Sequence, residues 1–306
     1  MRDTFVVSLM EQMRKNDDIH VLTADLGFGV LDRVEAEFPK RLVNVGIAEQ
    51  NMASIAAGMA LEGLSVIAYS IGNFPTLRCL EQLRNDVGYH KADVKVVTVG
   101  GGFSYGSLGM SHHATEDISI MRALPNFDVL VPSSLWEVSQ SVPSMLSSPG
   151  PAYLRLDKSA MPDVGSQQSL ELGKARIVRS GKDALIIGAG GVMGEALAAA
   201  RILEPEGVDV AVFTVPFVEP LDPSDLATHI LNYDVVVTVE EGALAGGLGS
   251  KILEVLSESD SIPQRFKRLG LPRAYESRVG TQEFLRARHG LDGPSIAHHI
   301  RRLVSS

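Results

Sequence analysis

Five places in this sequence carry side chains that could do chemistry. Glu49 stands in the run Val43-Asn44-Val45-Gly46-Ile47-Ala48-Glu49-Gln50-Asn51, where a short apolar strand leads into a helix. A lone glutamate in a first helical turn is usually a surface residue that suits the helix dipole. Here apolar and small residues flank it on both sides, which argues for burial, and a buried carboxylate needs a partner or a proton. Asp25, in Ala24-Asp25-Leu26-Gly27, ends another apolar run. That position faces ligands in open α/β sheets and equally suits a turn. The stretch Gly100–Ser111 holds five glycines and ends at His112-His113. Adjacent histidines suggest a metal, but no third ligand stands at zinc-site spacing. Arg155 interrupts the apolar run Ala152–Leu156, and needs an anion there: a bound ligand, or a structural partner such as Asp157. Cys79, beside Leu77 and Leu80, reads as core filler rather than nucleophile.

The elements that position these residues follow from hydrophobic periodicity. The helix after Glu49 is crowded with Ala53, Ser54, Ala56, Ala57, Gly58 and Ala60, carries Met52, Ile55 and Met59 as an apolar stripe, and has Gly63 at its end. Helices are predicted over Thr4–Lys15 and Val30–Phe38, from Pro75 through Val87, over Thr115–Leu124 and from Leu135. Strands are predicted at Ile19–Thr23, Leu64–Tyr69, Val94–Val99, Val129–Pro132 and Ala152–Leu156. A boundary is expected at Met161–Ser169, where Pro, Gly, Ser and Gln cluster. Beyond it the alternation resumes: strands at Ala184–Gly188, Val208–Phe213 and Val235–Val239, helices at Gly191–Leu203 and Pro223–Ile230. Strand–helix alternation implies parallel sheets covered on both faces, so the expected fold is α/β, with two parallel-sheet domains at 1–165 and 173–306.

Composition narrows the class. At 306 residues the chain can build two cores. A net charge of −9 gives no basic footprint for nucleic acid. The apolar runs are too short and interrupted for a transmembrane helix, and the N-terminal residues show no signal-peptide pattern. One cysteine excludes an internal disulfide and fits a cytoplasmic location. Gly188-Ala189-Gly190-Gly191-Val192-Met193-Gly194 resembles a dinucleotide fingerprint, but the next strand ends in Thr214 and Val215 rather than the acidic residue that would hold a ribose. Nicotinamide binding is not expected.

Asn44–Asn51, Ala24–Gly27, Gly109-Met110-Ser111-His112-His113 and Val239-Glu240-Glu241-Gly242 together resemble the transketolase family of thiamine diphosphate enzymes, over nearly the whole chain. The resemblance is to the pyrimidine-binding and C-terminal domains, as in the C-terminal subunit of a split transketolase. It implies that Glu49 binds N1′ of the aminopyrimidine and shares a proton with it. Water exclusion raises a carboxyl's proton affinity, which suits that task. The implied reaction moves a ketol unit from a ketose phosphate to an aldose. The resemblance also places Asp25 near the cofactor, Phe74 on the aminopyrimidine with Ile71 and Leu77 completing the wall, His112 at the substrate's reacting oxygens and Arg155 at a sugar phosphate.

Departures from the family are as informative. Leu108 stands where an aspartate often reads sugar hydroxyls, Gly100 where a histidine often binds phosphate, and Gly29 in place of a serine. A partly rewritten sugar pocket implies a specialised substrate. No Gly-Asp-Gly metal-and-diphosphate motif occurs in these residues. The magnesium or other divalent ion and the diphosphate are therefore expected on a separate N-terminal subunit, with no metal ligand on this chain. The active site falls at the interface, two copies of each chain assemble, and the small-residue helix after Glu49 is a contact surface. Rival readings are the beta chain of a 2-oxo-acid dehydrogenase, a deoxyxylulose-phosphate synthase-like enzyme, and a non-catalytic scaffold subunit.

Overall fold

A computed structural model describes residues 1–165, 169–258 and 262–305. In the first half, strands β1 (Ile19–Thr23), β2 (Leu42–Asn44), β3 (Ser65–Ile71), β4 (Val94–Val99), β5 (Asp128–Leu130) and β6 (Ala152–Leu156) alternate with helices. The helices are α1 (Arg2–Met13), α2 (Asp32–Glu37), α3 (Glu49–Leu61), α4 (Leu80–Gln82), α5 (Asp117–Ala123) and α6 (Leu135–Ser147). In the second half come β7 (Arg176–Arg179), β8 (Ala184–Gly188), β9 (Val210–Thr214), β10 (Phe217–Glu219), β11 (Val235–Ala243) and β12 (Arg265–Leu271). They are joined by α7 (Met193–Leu203), α8 (Pro223–Ile230), α9 (Leu248–Glu258), α10 (Gln282–Arg288) and α11 (Gly293–Val304).

The first sheet runs β10-β5-β6-β4-β3-β1-β2, with every pairing parallel except β10 on β5. The second runs β12-β11-β8-β9-β7, with β7 antiparallel to β9. Strands β4 and β6 are buried along their whole length, as expected for a sheet covered on both faces. Parallel order brings the carboxyl ends of β1, β2, β3, β4 and β6 to one edge, where the loops carrying Asp25, Glu49, Phe74 and His112 emerge.

Three features differ from the periodicity. The helix predicted through Val87 is a single turn, α4, continued by a π-helical segment, Leu83–Gly88, in which the Tyr89 N–H reaches back to the Arg84 carbonyl at 3.0 Å. The three-residue β10 was not visible in the sequence: after Pro216 the chain leaves the second sheet and adds an edge to the first, burying Phe217 in its core. The strands β7 and β12 and the helices α9, α10 and α11 were likewise unread. Of the expected boundary Met161–Ser169, residues 166–168 lie outside the described residues, while Met161 is tied to the Ser133 carbonyl at 2.7 Å. One apolar cluster runs through both halves, from Leu22 and Ala68 to Ile187 and Val236, so the two sheets are packed together. Among the described residues, no helix is long and apolar enough to cross a membrane.

Candidate active site

The loops at the carboxyl edge are shaped by their own sequences. Asn44, the last residue of β2, accepts the Asp25 N–H at 2.9 Å and the Gly46 N–H at 3.0 Å through Oδ1, and donates Nδ2–H to Asp25 Oδ1 at 3.2 Å. This knot holds Asp25 in the left-handed region, at φ +55°, and aims the chain into α3. Asp25 therefore forms a turn, with Oδ1 of its carboxylate held by Asn44. Glu49 is the first residue of α3 and is only 3 % exposed. Its face of the helix buries Met52, Ala53, Ala56 and Ala57, while Gln50, Ser54, Gly58 and Leu61 are exposed.

Glu49 has a partner that the sequence reading missed. Arg78 donates Nη1–H to Glu49 Oε2 at 2.5 Å, and its guanidinium lies 4.4 Å over the ring of Phe74. The edge of Phe74 meets the His112 ring at 5.4 Å. His112 lies 6.5 Å from Tyr105, whose other approach is covered by Lys158 Nζ at 4.4 Å. Glu49, Arg78, Phe74, His112, Tyr105 and Lys158 therefore form one line of contacts along the edge. Ile71, half-buried, ends β3 beside this line, and Leu77 is exposed. Of the unforeseen members, Arg78 carried a signal: it stands four residues after Phe74, the spacing of one helical turn.

The glycine-rich loop is fitted to this arrangement. Gly100 adopts φ +91°, and a Cβ there would lie 2.2 Å from the Tyr105 ring, so Tyr105 occupies the space of any larger side chain. Asn73 braces the histidine from below, donating Nδ2–H to the carbonyls on either side of it, His113 at 2.5 Å and Ser111 at 3.4 Å. Burial, aided by neighbouring His113, holds the His112 imidazole below its ordinary pKa, so it favours the neutral form. Burial and then the Glu49 charge push the Cys79 thiol up to about 12, which agrees with a packing role.

One sequence reading changes here. Arg155 is 2 % exposed and each of its three nitrogens is engaged, Nη1 with Asp117 at 3.3 Å, Nε with Asp157 at 3.4 Å and Nη2 with the Glu241 carbonyl at 2.8 Å. A Cβ on Gly101 would fall 1.9 Å from its Nε. Arg155 is not open to a sugar phosphate; it cross-links the two halves, and the structural alternative is the one realised. Two exposed cations do stand along the His112 edge, Arg78 over Phe74 and Lys158 over Tyr105. The Gly188–Gly194 turn also has an occupant: Asp157 Oδ2 accepts the Gly191 N–H at 2.6 Å. The first half's carboxylate sits where a dinucleotide phosphate would.

A buried acid beside an aromatic platform can hold a protonatable heteroaromatic ring, and a neutral imidazole next to it can exchange protons with a substrate oxygen. Among the described residues, no group of three or more His, Cys, Asp or Glu is placed to hold a metal ion. Residues 1–164 match the family "Transketolase, pyrimidine binding domain" and residues 173–296 match "Transketolase, C-terminal domain". A putative transketolase C-terminal section of Methanocaldococcus jannaschii is 35 % identical over 304 residues, covering 98 % of this chain and 95 % of the relative. A relative from Actinobacillus succinogenes, named as a subunit of apulose-4-phosphate transketolase, is 35 % identical over 261 residues, covering 85 % and 84 %. A solved structure described as a split gene transketolase, inactive beta4 tetramer, superimposes with a TM-score of 0.86 at 33 % identity, covering 99 % of this chain and 97 % of that one.

Proposed function

Because the chain belongs to the transketolase family through both its pyrimidine-binding and C-terminal domains, we propose that it is the C-terminal subunit of a two-chain, thiamine diphosphate-dependent transketolase acting on a specialised sugar phosphate. The domains are residues 1–165 and 173–306. The chain works with an N-terminal subunit that holds the diphosphate and its divalent ion, two copies of each assemble, and the enzyme is cytoplasmic. The single observation that carries the reading is Glu49, a 3 % exposed carboxylate at the head of α3 within one side chain of the Phe74 ring.

That pocket fits the aminopyrimidine end of the cofactor: a buried acid for N1′, Phe74 and Ile71 for the ring faces, and Asp25 at the neighbouring strand end. When bound, thiamine diphosphate supplies the electron sink for breaking and remaking a carbon–carbon bond. The chain's own residues do the rest. Glu49 holds a proton at N1′, and Arg78 yields the carboxylate to do so. Phe74 and Ile71 orient the ring and keep water off it. His112, neutral, gives and takes a proton at the reacting sugar oxygen, and Lys158 offers its charge to the sugar's anionic group.

The A. succinogenes relative is named for apulose 4-phosphate, which supports a specialised sugar here, as do Leu108 and Gly100 in the loop. Glu49→Gln in the reconstituted complex tests the reading. Turnover should fall by about two to four orders of magnitude while the two chains still assemble. Unchanged turnover would return Glu49 to a structural role. Rapid turnover of xylulose 5-phosphate with ribose 5-phosphate would remove the specialised substrate.

A further inference from the structure

We propose that the C-terminal half positions His112, with Glu241 as the positioning residue that clamps the glycine-rich loop to α10. The inference rests on the reading that His112 meets the substrate. Glu241 ends the Val239-Glu240-Glu241 run inside β11, is buried, and lies across the domain junction from the loop. Its Oε1 accepts the Phe103 N–H at 2.5 Å and the Gln282 Nε2–H at 3.0 Å, and its Oε2 pairs with Arg286 Nε. Gln282 also reaches Ser104 Oγ at 3.3 Å. A Cβ on Gly102 would lie 2.5 Å from Glu241 Oε1, so glycine at that position lets the carboxylate approach.

The second half grips the loop again further along. The Gly280 N–H reaches the Gly106 carbonyl at 3.4 Å, Leu285 fills the space a Gly106 side chain would take, and the Ala243 N–H holds the Thr115 carbonyl at 2.7 Å. Phe103 is stacked on His289 at 5.4 Å and meets His113 at 5.1 Å, and His289 is fixed by Glu276 at 2.8 Å. A loop with five glycines has much conformational freedom to lose on ordering. These contacts fasten it near its start, in its middle and just past its end, and leave His112 half-buried against Phe74. Arg286 Nη2 also donates to Ser159 Oγ at 2.8 Å, so the same clamp holds the segment that carries Lys158. The C-terminal half thereby has a catalytic consequence without touching the reaction.

The test uses Gln282→Ala, Glu241→Ala and Glu241→Gln in the full chain. Amide hydrogen exchange over residues 100–115 is followed in the isolated chain, and kcat and KM in the complex with the N-terminal partner. Loss of the clamp should speed exchange in that segment about tenfold or more, with β1 and β3 unaffected. It should lower kcat by roughly 10- to 100-fold with thiamine diphosphate affinity unchanged. Glu241→Gln keeps an acceptor for the Phe103 N–H but turns its amide NH2 toward Arg286, so it should recover part of both and exceed Glu241→Ala. If Glu241→Ala fails to fold, Gln282→Ala carries the test. Unchanged exchange in 100–115, or faster exchange with unchanged kcat, overturns the proposal. His112→Ala separates it from the functional reading: undiminished kcat there withdraws the role of His112, whatever the loop exchange shows.

Discussion

Glu49 and Arg78 share one ion pair, and under the proposed function Arg78 is what an incoming ring must displace. Glu49 is nearly sealed from water while the Arg78 side chain is 44 % exposed, so the arginine is the partner free to move. Arg78→Met removes the competitor for the carboxylate. It should tighten thiamine diphosphate binding by the assembled enzyme, measured by calorimetry, while destabilising the isolated chain by about 1–2 kcal/mol in denaturant unfolding. Weaker cofactor binding would mean that Arg78 is a ligand rather than a competitor. His112 sets a pH dependence. Burial and the neighbouring His113 disfavour its charged form, so its pKa lies below the ordinary imidazole value and the neutral ring persists to lower pH. The acid limb of the kcat profile should therefore fall below about pH 6.5, the reference value for histidine, and should vanish in His112→Asn. An acid limb that survives the substitution assigns it to another group.

The helix α3 and the glycine-rich loop meet opposite demands. On α3, a Cβ added at Gly58 finds nothing within 4 Å, and the residue lies on an exposed face with Ser54 and Leu61. Gly58→Ala should stabilise the isolated chain by up to about 1 kcal/mol, because glycine is a poor helix former. If that face is the contact surface for the N-terminal partner, the same substitution weakens assembly, read by analytical ultracentrifugation. In the loop, Gly101 is locked against the Arg155–Asp157 pair, and a Cβ would collide with Nε at 1.9 Å and with Asp157 Oδ1 at 2.2 Å. Gly101→Ala should lower stability by about 3 kcal/mol in urea unfolding. A neutral result would show that the ion network shifts freely.

At the scale of the whole molecule, the two halves are interlocked by more than a linker. β10 crosses to the first sheet, Asp157 enters the Gly188–Gly194 turn, and Glu137 on α6 accepts both Thr214 Oγ1–H at 2.6 Å and Arg176 Nη1–H at 3.1 Å. The pair is therefore expected to act as one body, presenting a single edge to its partner. That edge offers the proposed pyrimidine pocket and, among the described residues, no metal-ligating cluster. Titration of thiamine diphosphate with magnesium into the isolated chain should give no saturable heat at micromolar concentrations, and full binding should return when the N-terminal subunit is added. Tight binding by this chain alone would end the two-chain proposal.

The sequence by itself determined the local and periodic features. Alternating apolar runs located strands of both sheets, the strand bounds of β1, β4, β6 and β8 are those the pattern gives, and Glu49 stood out because apolar and small residues flank it on both sides. Hydrophobic burial is written residue by residue, so it is readable without coordinates. Tertiary structure alone decided who pairs with whom. Arg155 had a ligand reading and a structural one, and only the approach of Asp117 and the Glu241 carbonyl, 38 and 86 residues away, chose between them. Arg78 on Glu49, Lys158 beside Tyr105 and Glu241 on the Phe103 amide are decided the same way. Charge pairing depends on distance in space, which a one-dimensional pattern does not contain.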